Sequence, residues 1–469
     1  MIHFGTDGWR GRIAREFTFE NVQKVSQAVA DFLLKEGRKG SLIVGHDHRF
    51  LSEQFARSAA EVFSGNGFKV LLFSKPVPTP LVSFTVVQKR SLGGVALTAS
   101  HNPPEFHGFK FKESRGGSAT PRTTEKIESH LGRSKVRRLP FEEALRRKKI
   151  GWLDTERSYI AALWKRIDAS VFRKARMRIV ADALYGSSAG YLRRALSLGS
   201  LKVDLLHGER DVLFGGLAPE PIPKNLEDLT RKMKSNRYDL GIALDGDGDR
   251  LAAVLPGGRF VSPAEILAIV LYHFVEGKSL RGKVVKTVSG SSLINRIADH
   301  YALQVEETPV GFKYISEKMS DPDFLIGGEE SGGMGFRGSP FPERDGILSA
   351  LFLLEAVAAS GEPVRKLLQK IQKKFGPLET NRIDLHYPKE KWLSLVRRLR
   401  REGRKLLLEP PLEVKDFDGV KLIGRNRWIL FRMSGTEPLL RIYAEGRSQK
   451  EVAEMLGRGR ALAQKEFLR

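Results

Sequence analysis

The stretch SLIVGHD, residues 41–47, begins a run in which short apolar segments alternate with helical patterns up to about Phe141. Short apolar runs bounded by turn residues are typical of buried strands, and longer segments with a serine cap and a glycine stop are typical of helices. The strand patterns are SLIVGHD, FKVLLFSK and GGVALTAS, and the helical patterns are SEQFARSAAEVFSGNG and TPLVSFTVVQKR. Strands that alternate with helices predict a sheet with helices on its faces.

The same alternation starts twice more and then gives way to a different pattern. A second unit begins at RMRIVADAL and a third at SPAEILAIVLYHFVEG, and the last part combines a basic helix with antiparallel strands joined by the hairpin turn GRNR. We therefore predict an α/β fold of three tandem α/β domains with mixed sheets, followed by a smaller C-terminal α+β domain. The expected boundaries are residues 1–148, 149–255, 256–376 and 377–469.

Length and composition indicate a globular protein of several domains. The chain has 469 residues, of which 41% are hydrophobic and 29% charged. It has no cysteine, which excludes a disulfide framework and a thiolate metal site and agrees with a reducing cytoplasm. The beginning of the chain lacks the pattern of a signal peptide, and the most apolar segments are shorter than the roughly 20 residues of a membrane span. We expect those segments to be buried helices.

The formal net charge is +24, from 79 basic and 55 acidic residues. Such a charge balance fits a protein that binds nucleic acid, a protein whose electrostatic field steers an anionic substrate, or a protein whose surface charges are simply solvated. The basic clusters, such as RRLPFEEALRRKK, stand beside acidic residues, and no basic stripe is interleaved with aromatic residues. The pattern therefore favours a solvated surface with some steering, and we expect no nucleic-acid partner.

The segment ALDGDGDR, residues 243–250, carries three aspartates that alternate with glycines after an apolar strand. Alternate residues of an extended chain point the same way, so Asp245, Asp247 and Asp249 are expected to converge. Carboxylates this close repel one another unless a cation lies between them, and ligands that are all oxygen suit Mg²⁺. An EF-hand loop is excluded, because its sixth and twelfth positions are Arg250 and Pro256 here. Arg250 is expected to contact a phosphate near the metal.

The segment TASHNPPEFHGFK, residues 98–110, places Ser100 on a loop that two prolines stiffen. No G-x-S-x-G motif surrounds this serine, so nothing indicates a hydrolase triad. His101 follows directly and is able to orient or exchange protons, and Lys110 supplies positive charge nearby. A serine with a metal and basic neighbours fits phosphoryl transfer better than acyl transfer.

Two further loops carry groups that bind phosphates and sugars. In RMSGTEPLLRIYAE, hydroxyl and backbone N–H donors lie between two arginines, a combination that suits a phosphate. In GGEESGG, carboxylates and a hydroxyl stand among glycines, which suits neutral sugar hydroxyls; taken alone, this motif is common in acidic turns. The alternative interpretation of the first loop is a hairpin turn with two surface arginines. Its cluster of several donor types favours the phosphate-binding interpretation.

In this order, the four loops resemble those of the α-D-phosphohexomutase superfamily, which includes phosphoglucomutases and phosphomannomutases. The resemblance runs from FGTDGWRG to RMSGTEPLLR and includes TPVGFKYI, a segment that contributes to substrate binding in the family. It implies four domains around a central cleft, Mg²⁺ as cofactor, a phosphorylated hexose as substrate and glucose 1,6-bisphosphate as intermediate or activator. It also implies a cytoplasmic monomer or homodimer without a membrane or nucleic-acid partner.

The resemblance also implies the roles of individual residues. The phosphoryl group is carried by Ser100, and the magnesium ion is bound by that group and by Asp245, Asp247 and Asp249. The remaining residues of the active site are expected to be Arg10, His101, Lys110, Arg250 and Lys313. The sugar hydroxyls are contacted by Glu329 and Ser331. The phosphate that does not react is held by Arg432, Ser434, Gly435, Thr436 and Arg441.

The implied reaction moves a phosphoryl group between O1 and O6 of a hexose phosphate. Phosphoserine passes its group to the free hydroxyl, the bisphosphate turns over inside the cleft, and the other phosphate returns to Ser100. The last domain must release and recapture a phosphate, so a hinge is expected before about Pro377. The general base stays open between His101 and Lys110.

Three departures from the family pattern bear on these expectations. Many members read Arg-Asp-Thr-Arg where this chain has His46 to Arg49, and Asn-Gly where it has His107 and Gly108. We expect neither difference to touch the core chemistry. The loop GEESGG lacks the final histidine common in phosphoglucosamine mutases and in many bacterial phosphomannomutases, which favours glucose phosphate as substrate.

Alternative functions are considered from inside and outside the family. Within it, phosphomannomutase and phosphoglucosamine mutase are the alternatives. A metal-dependent sugar phosphatase would use similar aspartates but would not need a second phosphate-binding loop. A non-catalytic, nucleic-acid-binding relative is disfavoured, because the loops that carry the chemistry are intact.

Overall fold

The computed structural model describes residues 2–235, 237–434 and 438–467, and it has four β-sheets that follow one another along the chain. We call the parts that contain them unit I (2–154), unit II (155–261), unit III (262–376) and unit IV (377–467). Units I to III combine sheets of mixed direction with helices, and unit IV is an antiparallel sheet with two long helices. The expected fold class is therefore confirmed.

Unit I has a six-stranded sheet in the order β1-β5-β4-β2-β3-β6. The strands are β1 (Trp9–Arg12), β2 (Ser41–His46), β3 (Lys69–Phe73), β4 (Gly93–Leu97), β5 (Phe106–Glu113) and β6 (Ile150–Leu153). The helices are α1 (Phe19–Lys35), α2 (Ser52–Gly65), α3 (Thr79–Gln88), α4 (Pro121–Ser129) and α5 (Phe141–Arg146). Strands β2, β3, β4 and β6 are parallel, whereas β5 runs antiparallel to β4 and to β1.

The serine loop, residues 98–105, is the turn of a β-hairpin between β4 and β5. The sequence predicts a loop in this segment and gives no signal for β5, because two prolines and a glycine interrupt the pattern. The register places Lys110 opposite Ala96 and Phe109 opposite Leu97. Lys110 therefore returns along the sheet to the same region as Ser100, although ten residues separate them in the chain.

Unit II has a five-stranded sheet in the order β11-β10-β9-β7-β8. Its strands are β7 (Arg178–Asp182), β8 (Lys202–Leu206), β9 (Leu240–Leu244), β10 (Leu251–Val254) and β11 (Phe260–Val261). Its helices are α6 (Glu156–Trp164), α7 (Ala189–Ala195) and α8 (Glu227–Lys234). Strands β7, β8 and β9 are parallel, and β10 turns back antiparallel to β9.

Two of the expected domain boundaries fall inside sheets of the structure. Strand β6 pairs with β3, so the sheet of unit I continues past residue 148. Strand β11 pairs with β10, so the sheet of unit II continues past residue 255. Both strands are short and stand at an edge of their sheet, and such strands leave little apolar pattern in a sequence.

Unit III has a four-stranded sheet in the order β13-β12-β14-β15. Its strands are β12 (Lys283–Thr287), β13 (Val305–Thr308), β14 (Phe324–Gly328) and β15 (Met334–Phe336). Its helices are α9 (Pro263–Tyr272), α10 (Ser292–His300), α11 (Phe312–Lys318), α12 (Gly346–Ser360) and α13 (Val364–Phe375). Strands β12, β13 and β14 are parallel, and β15 is antiparallel to β14.

Unit IV has an antiparallel sheet in the order β16-β20-β19-β18-β17. Its strands are β16 (Glu379–His386), β17 (Glu413–Lys415), β18 (Val420–Ile423), β19 (Trp428–Met433) and β20 (Leu439–Gly446), and its helices are α14 (Trp392–Leu407) and α15 (Gln449–Phe467). Ile423 pairs with Trp428, so GRNR is the turn between β18 and β19. This confirms the hairpin that the sequence predicted.

One apolar cluster joins units I, II and III. It includes Ile43 and Val82 of unit I, Leu192 of unit II and Leu351 of unit III, all fully buried. Helix α12 is buried from Gly346 to Val357 and packs against α9 of its own unit and against α7 and β10 of unit II. Contiguous burial of apolar surface across the units holds them in a fixed relation.

Within the described ranges, no single helix has both the length and the apolar character needed to cross a membrane. By these two criteria alone, one pair of helices passes, Gly346–Ser360 with Val364–Phe375, and it is bent by 85°.

The contact between units III and IV combines a small apolar cluster, which includes Val288 and Trp428, with a partly buried polar cluster. Its charged members are three lysines and two glutamates: Lys286, Lys415, Lys421, Glu307 and Glu445. Lys421 donates to the carbonyl of Val288 at 2.6 Å and lies 4.2 Å from the centre of the Trp428 ring. Burial, together with the charge of Lys286, lowers the pKa of Lys421 to about 7 against the pull of the glutamates.

We expect the substitution Lys421→Met to flatten the pH dependence of the free energy of unfolding between about pH 7 and pH 10. A lysine in an unfolded chain has a pKa of about 10.4, so in this window the unfolded chain binds one proton more than the folded chain. The stability of the wild type therefore rises with pH, by at most about 1.4 kcal/mol per pH unit from this group. Urea denaturation at several pH values measures the slope.

Lys415→Met is the matched control. Lys415 contacts the same Glu307 at 2.8 Å, and although burial opposes it, that carboxylate raises the pKa of Lys415. Its charge is therefore kept through the window, and its removal should leave the slope as in the wild type. Equal slopes for wild type and Lys421→Met would show that Lys421 is protonated in the folded chain.

Candidate active site

The three aspartates of the loop after β9, residues 245–249, converge as their spacing indicated. Asp245, Asp247 and Asp249 are fully buried, and one carboxylate oxygen from each lies within 4.8 Å of the others. Gly248 has φ 72°, a left-handed conformation that glycine adopts without strain. The loop can therefore turn within two residues and present all three side chains to one point. We call this segment the aspartate loop.

The backbone of the aspartate loop is held from three units at once. The carbonyl of Gly246 accepts from the N–H of Ser187 at 3.0 Å, and that of Asp247 from the N–H of Thr79 at 2.9 Å. The carbonyl of Gly248 accepts from the N–H of Gly346 at 3.1 Å. Ser187, Thr79 and Gly346 belong to units II, I and III. The position of the aspartates thus depends on the packing of all three units.

Ser100 lies directly against the aspartate loop. Its hydroxyl donates to Asp245 Oδ2 at 2.8 Å, and both side chains are fully buried. A Cβ added to Gly246 would lie 2.7 Å from the carbonyl oxygen of Ser100. Glycine is therefore required at Gly246 for the close approach of two backbones, a reason that the sequence alone does not contain.

Lys110 lies between carboxylates from units I and II. Its Nζ is 2.7 Å from Asp7, 2.8 Å from Asp247 and 3.3 Å from Asp249. Burial alone would lower the pKa of Lys110, but these three carboxylates raise it well above its ordinary value. The ammonium group is thus held as a cation beside the predicted metal ligands.

The oxygen atoms of the aspartate loop fit a divalent cation. Among the residues described, no hydrogen-bond donor reaches the buried atoms Asp247 Oδ1 and Asp249 Oδ1. Burial and the charges of the other two aspartates raise the pKa of Asp245 well above its ordinary value. Burial pushes the pKa of Asp247 in the same direction, but Lys110 brings it down to about 2. Clustered, partly unsatisfied carboxylate oxygens suit a hard cation such as Mg²⁺.

The other expected residues of the reacting centre lie close to Ser100. His101 Nδ1 is 3.4 Å from the Ser100 hydroxyl, and burial together with the charges of Arg250 and Arg10 holds the pKa of His101 well below its ordinary value. Arg10 Nη1 donates to the side chain of Asn102 at 2.5 Å. Arg250 Nε is 3.9 Å from Asp245.

Lys313 and the expected sugar-binding loop belong to unit III. Lys313 lies on α11, half-buried, and burial lowers its pKa although Asp7 opposes this. Glu329 and Ser331 occupy the turn between β14 and β15. Burial raises the pKa of Glu329 to about 7, with Arg344 acting against it. At neutral pH, Glu329 is therefore able both to donate and to accept a hydrogen bond.

Arg344 is a residue of this site that the sequence does not indicate. Its guanidinium is buried and contacts Asp7 of unit I, Asp249 of unit II at 2.8 Å and Glu329 of unit III at 3.3 Å. In the sequence it stands in the charged segment ERDG before an apolar helix, a pattern that is common in ordinary helix starts. The sequence does not indicate Asp7 either, because a single aspartate in a short turn points to no particular function.

The positions that depart from the family pattern are His46, His48 and His107. His107 is fully buried and stacks on Phe17 with ring centroids 4.6 Å apart, a packing role. His48 Nδ1 lies 2.8 Å from the carbonyl oxygen of Tyr185. Arg49, which the family pattern shares, donates from Nη2 to the carbonyl of Ser100 at 2.7 Å.

The expected phosphate-binding loop of unit IV lies where β19 meets β20. Arg432 and Arg441 are directly opposite each other on these strands, and Arg432 Nε donates to Asp418 at 2.8 Å. Like charges that face each other across two strands are unfavourable unless an anion lies nearby. The N–H of Ser434 donates to the carbonyl of Leu439 at 2.8 Å, whereas the predicted residues Gly435 and Thr436 lie outside the described residues.

Unit IV meets unit III beside Lys313. Asp418, the partner of Arg432, also accepts from the N–H of Val310 at 2.7 Å. Val310 is part of the segment TPVGFKYI, in which Lys313 follows three residues later. The expected phosphate-binding and substrate-binding segments are therefore neighbours.

The sequence matches family models along most of its length. The four models describe domains I, II, III and the C-terminal domain of phosphoglucomutase/phosphomannomutase, and they match residues 1–138, 157–258, 262–375 and 395–458. The four matches follow one another along the chain in the order of units I to IV.

Individual relatives agree on the family and differ in their names. The chain is 30% identical over 467 residues to a phosphoglucomutase/phosphomannomutase of Thermococcus kodakarensis, with 97% of both chains covered. It is 30% identical over 467 residues to a phosphoglucosamine mutase of Novosphingobium aromaticivorans, with 96% of both covered. The crystal structure of a candidate phosphomannomutase from Thermus thermophilus is 36% identical, with 99% of both chains covered and a TM-score of 0.87.

Four matching domain models in order, on a fold that brings their loops together, lead to one conclusion. The chain belongs to the phosphoglucomutase/phosphomannomutase family of the α-D-phosphohexomutase superfamily, whose members are intramolecular phosphotransferases of the isomerase class.

Proposed function

We propose that this enzyme moves a phosphoryl group between O1 and O6 of a hexose phosphate, with glucose 1-phosphate and glucose 6-phosphate as the favoured pair. Ser100 carries the phosphoryl group, and glucose 1,6-bisphosphate is the intermediate. The observation that carries this proposal is the 2.8 Å hydrogen bond from the Ser100 hydroxyl to Asp245, which joins the serine loop of unit I to the aspartate loop of unit II.

The aspartates and Lys110 support a dianion on Ser100. Asp245, Asp247 and Asp249 are the residues that would hold Mg²⁺, which supplies positive charge to neutralise the phosphoryl oxygens in such a site. Lys110 adds a fixed cation from the opposite strand of the hairpin. Cations placed in advance where negative charge develops stabilise the transition state of phosphoryl transfer.

The geometry favours His101 over Lys110 as the group that accepts the proton of the attacking hydroxyl. In the transfer, the bond from Ser100 Oγ to phosphorus breaks, a bond from a sugar oxygen to phosphorus forms, and the sugar hydroxyl loses its proton. Lys110 is bound by three carboxylates and has no free lone pair for that proton. His101 lies 3.4 Å from the serine oxygen and is able to accept it.

The remaining residues are proposed to hold the sugar and its second phosphate. Glu329 and Ser331 contact the sugar hydroxyls, and Lys313, Arg10 and Arg250 surround the substrate between the loops. In unit IV the distal phosphate is bound by Arg432, Ser434, Gly435, Thr436 and Arg441. Because the bisphosphate binds in two orientations, general acceptors such as a carboxylate and a hydroxyl suit the sugar contacts better than groups specific for one face.

Arg344 supports the preference for glucose phosphate. Gly333 stands where many phosphoglucosamine mutases and phosphomannomutases have a histidine, and a Cβ at this glycine would lie 2.6 Å from Arg344 Cδ. The arginine thus fills the space that such a histidine would need. The proposed sugar site of this chain therefore contains Arg344 instead of that histidine.

The proposal places the enzyme in the cytoplasm, where phosphorylated sugars are retained, and divides the chain into the four units described. Relative to the expected boundaries, it moves the first from 148 to 154 and the second from 255 to 261, and it keeps the third at 376. The hinge that lets unit IV release a phosphate is proposed at residues 376–378, between α13 and β16.

Ser100→Ala is expected to abolish exchange between the two sugar phosphates, by a factor of at least about 10⁴, because no hydroxyl remains to carry the group. A coupled assay of glucose 6-phosphate formation from glucose 1-phosphate measures this loss, and intact-mass measurement detects the phosphate on the wild-type chain. Ser83→Ala, a buried serine of α3 in the same unit, is the control and should turn over normally. Full mutase turnover by Ser100→Ala would refute the assignment, and release of inorganic phosphate by the wild type would favour a phosphatase.

Asp247→Asn is expected to lower kcat by about 10²-fold or more and to weaken magnesium binding, because it removes one anionic ligand and the partner of Lys110. Titration with Mg²⁺, followed by calorimetry and by turnover, separates the two effects. Asp228→Asn, an exposed residue of α8, serves as the control. Unchanged affinity for Mg²⁺ in Asp247→Asn would exclude this residue as a ligand.

We expect kcat/KM for glucose 1-phosphate to exceed the values for mannose 1-phosphate and glucosamine 1-phosphate. The reason is the histidine-free sugar loop, with Arg344 in the space beside Gly333. Parallel turnover measurements on the three substrates decide this order. A higher value for mannose or glucosamine phosphate would reverse the substrate assignment without affecting the mutase chemistry.

A further inference from the structure

Arg49 and the serine loop lie side by side because of the strand order of unit I. Strands β2 and β4 are parallel neighbours, and His46 at the end of β2 pairs with Leu97 at the end of β4. Arg49 and Ser100 each follow three residues later. Segments that leave adjacent parallel strands in the same direction begin at the same edge of the sheet.

The guanidinium of Arg49 is surrounded by carbonyl groups of the serine loop. Nη2 donates to the carbonyls of Ser100 and Asn102, both at 2.7 Å. Nη1 donates to those of Pro103 at 2.9 Å and Phe106 at 3.0 Å. Four carbonyl oxygens from a segment of seven residues thus converge on one side chain that is fully buried.

The guanidinium is itself held in place from two other sides. Its Nε is 3.2 Å from Asp47 Oδ2, and the Asp47 Oδ1 atom accepts from the N–H of Arg49 at 3.0 Å and from the Ser52 hydroxyl at 2.9 Å. The ring of Phe214, from unit II, lies 4.9 Å from the guanidinium carbon. A planar group with donors on both Nη atoms and a stacked ring is oriented in a way that a lysine ammonium would not be.

The serine loop needs such a partner because its backbone is otherwise unfavourable. Ser100 has φ 53°, in the left-handed region that a residue with a side chain rarely adopts. Buried carbonyl groups without donors are costly, and carbonyl dipoles that point at one spot repel one another. A cation with four N–H donors at that spot satisfies all four carbonyls together.

We propose that Arg49 is a positioning residue that fixes the backbone of residues 100–106 so that the Ser100 hydroxyl faces Asp245. It acts through the carbonyls and does not touch the reacting group. The catalytic consequence of this role depends on the proposed function of Ser100 as the carrier of the phosphoryl group. Displacement of a reacting atom by about 1 Å is able to lower a rate on the order of 10²-fold.

Hydrogen–deuterium exchange of the full-length protein tests the positioning role without reference to catalysis. In Arg49→Lys, which keeps the charge and loses the forked donors, exchange of the amides in residues 99–106 should be at least about tenfold faster than in the wild type. Arg398→Lys is the matched control, because Arg398 is a buried arginine of α14 that pairs with Glu402 and Glu466 in unit IV. It should leave exchange in residues 99–106 unchanged.

Asp47→Asn keeps the proposal testable if Arg49→Lys does not fold. This variant leaves the guanidinium present and weakens its orientation, so a smaller acceleration in the same peptide is expected. Exchange in residues 99–106 that equals the wild type in whichever of these two variants folds would overturn the inference. Acceleration spread evenly over the molecule would also overturn it, because that result indicates a general loss of stability.

Kinetics of the same variants give the second readout. In Arg49→Lys, kcat for conversion of glucose 1-phosphate should fall by at least about tenfold while KM changes less than about twofold, because the sugar contacts are intact and the serine is displaced. A rise in KM with unchanged kcat would overturn the inference. If the wild-type chain takes no phosphate on Ser100, but Arg49→Lys accelerates exchange in residues 99–106 and Arg398→Lys does not, the proposed function is refuted and the positioning role is still supported.

Discussion

The active region depends on one constraint: three consecutive carbonyls of the aspartate loop each accept a hydrogen bond from a different unit. Gly246, Asp247 and Gly248 are held in this way by residues 187, 79 and 346. The loop is short, and its glycines allow backbone to approach backbone, with Gly246 directly against Ser100. Movement of any one of units I to III would therefore shift the aspartates relative to the serine. The apolar cluster that joins these units makes such movement costly, and the preorganised geometry follows from it.

Charge is balanced by the same convergence of units. Isolated carboxylates in a protein interior are unfavourable, and here Asp7, Asp247 and Asp249 surround Lys110, while Arg344 joins Asp7 and Asp249 to Glu329. These cations come from units I and III, and the aspartate loop belongs to unit II. The charges are therefore compensated only when the units are assembled. Unit IV differs, because it meets unit III through a small apolar cluster and a polar cluster.

Much of the site was predictable because its signals are local. Aspartates spaced by two residues after a strand point the same way wherever the strand lies, and alternation of strand and helix patterns predicts an α/β sheet without knowledge of strand order. The missed features depend on distant neighbours. Strand β5 was hidden by prolines and a glycine. Arg344 and Arg49 look like ordinary charged residues at the beginning of helices, and only the strand order places them beside Glu329 and Ser100.

The amino-acid sequence by itself determined the class of fold and the family, and it marked four loops as candidates for the chemistry, because periodicity, capping and motif spacing act over a few residues. The tertiary structure alone decided which residues meet: Ser100 with Asp245 across 145 positions, Lys110 with three carboxylates, and Arg49 with the carbonyls of the serine loop. The physical reason is that these contacts follow from sheet order and from close packing between units. Neither leaves a periodic trace in the chain, since each is set by the burial of surfaces that are far apart in sequence.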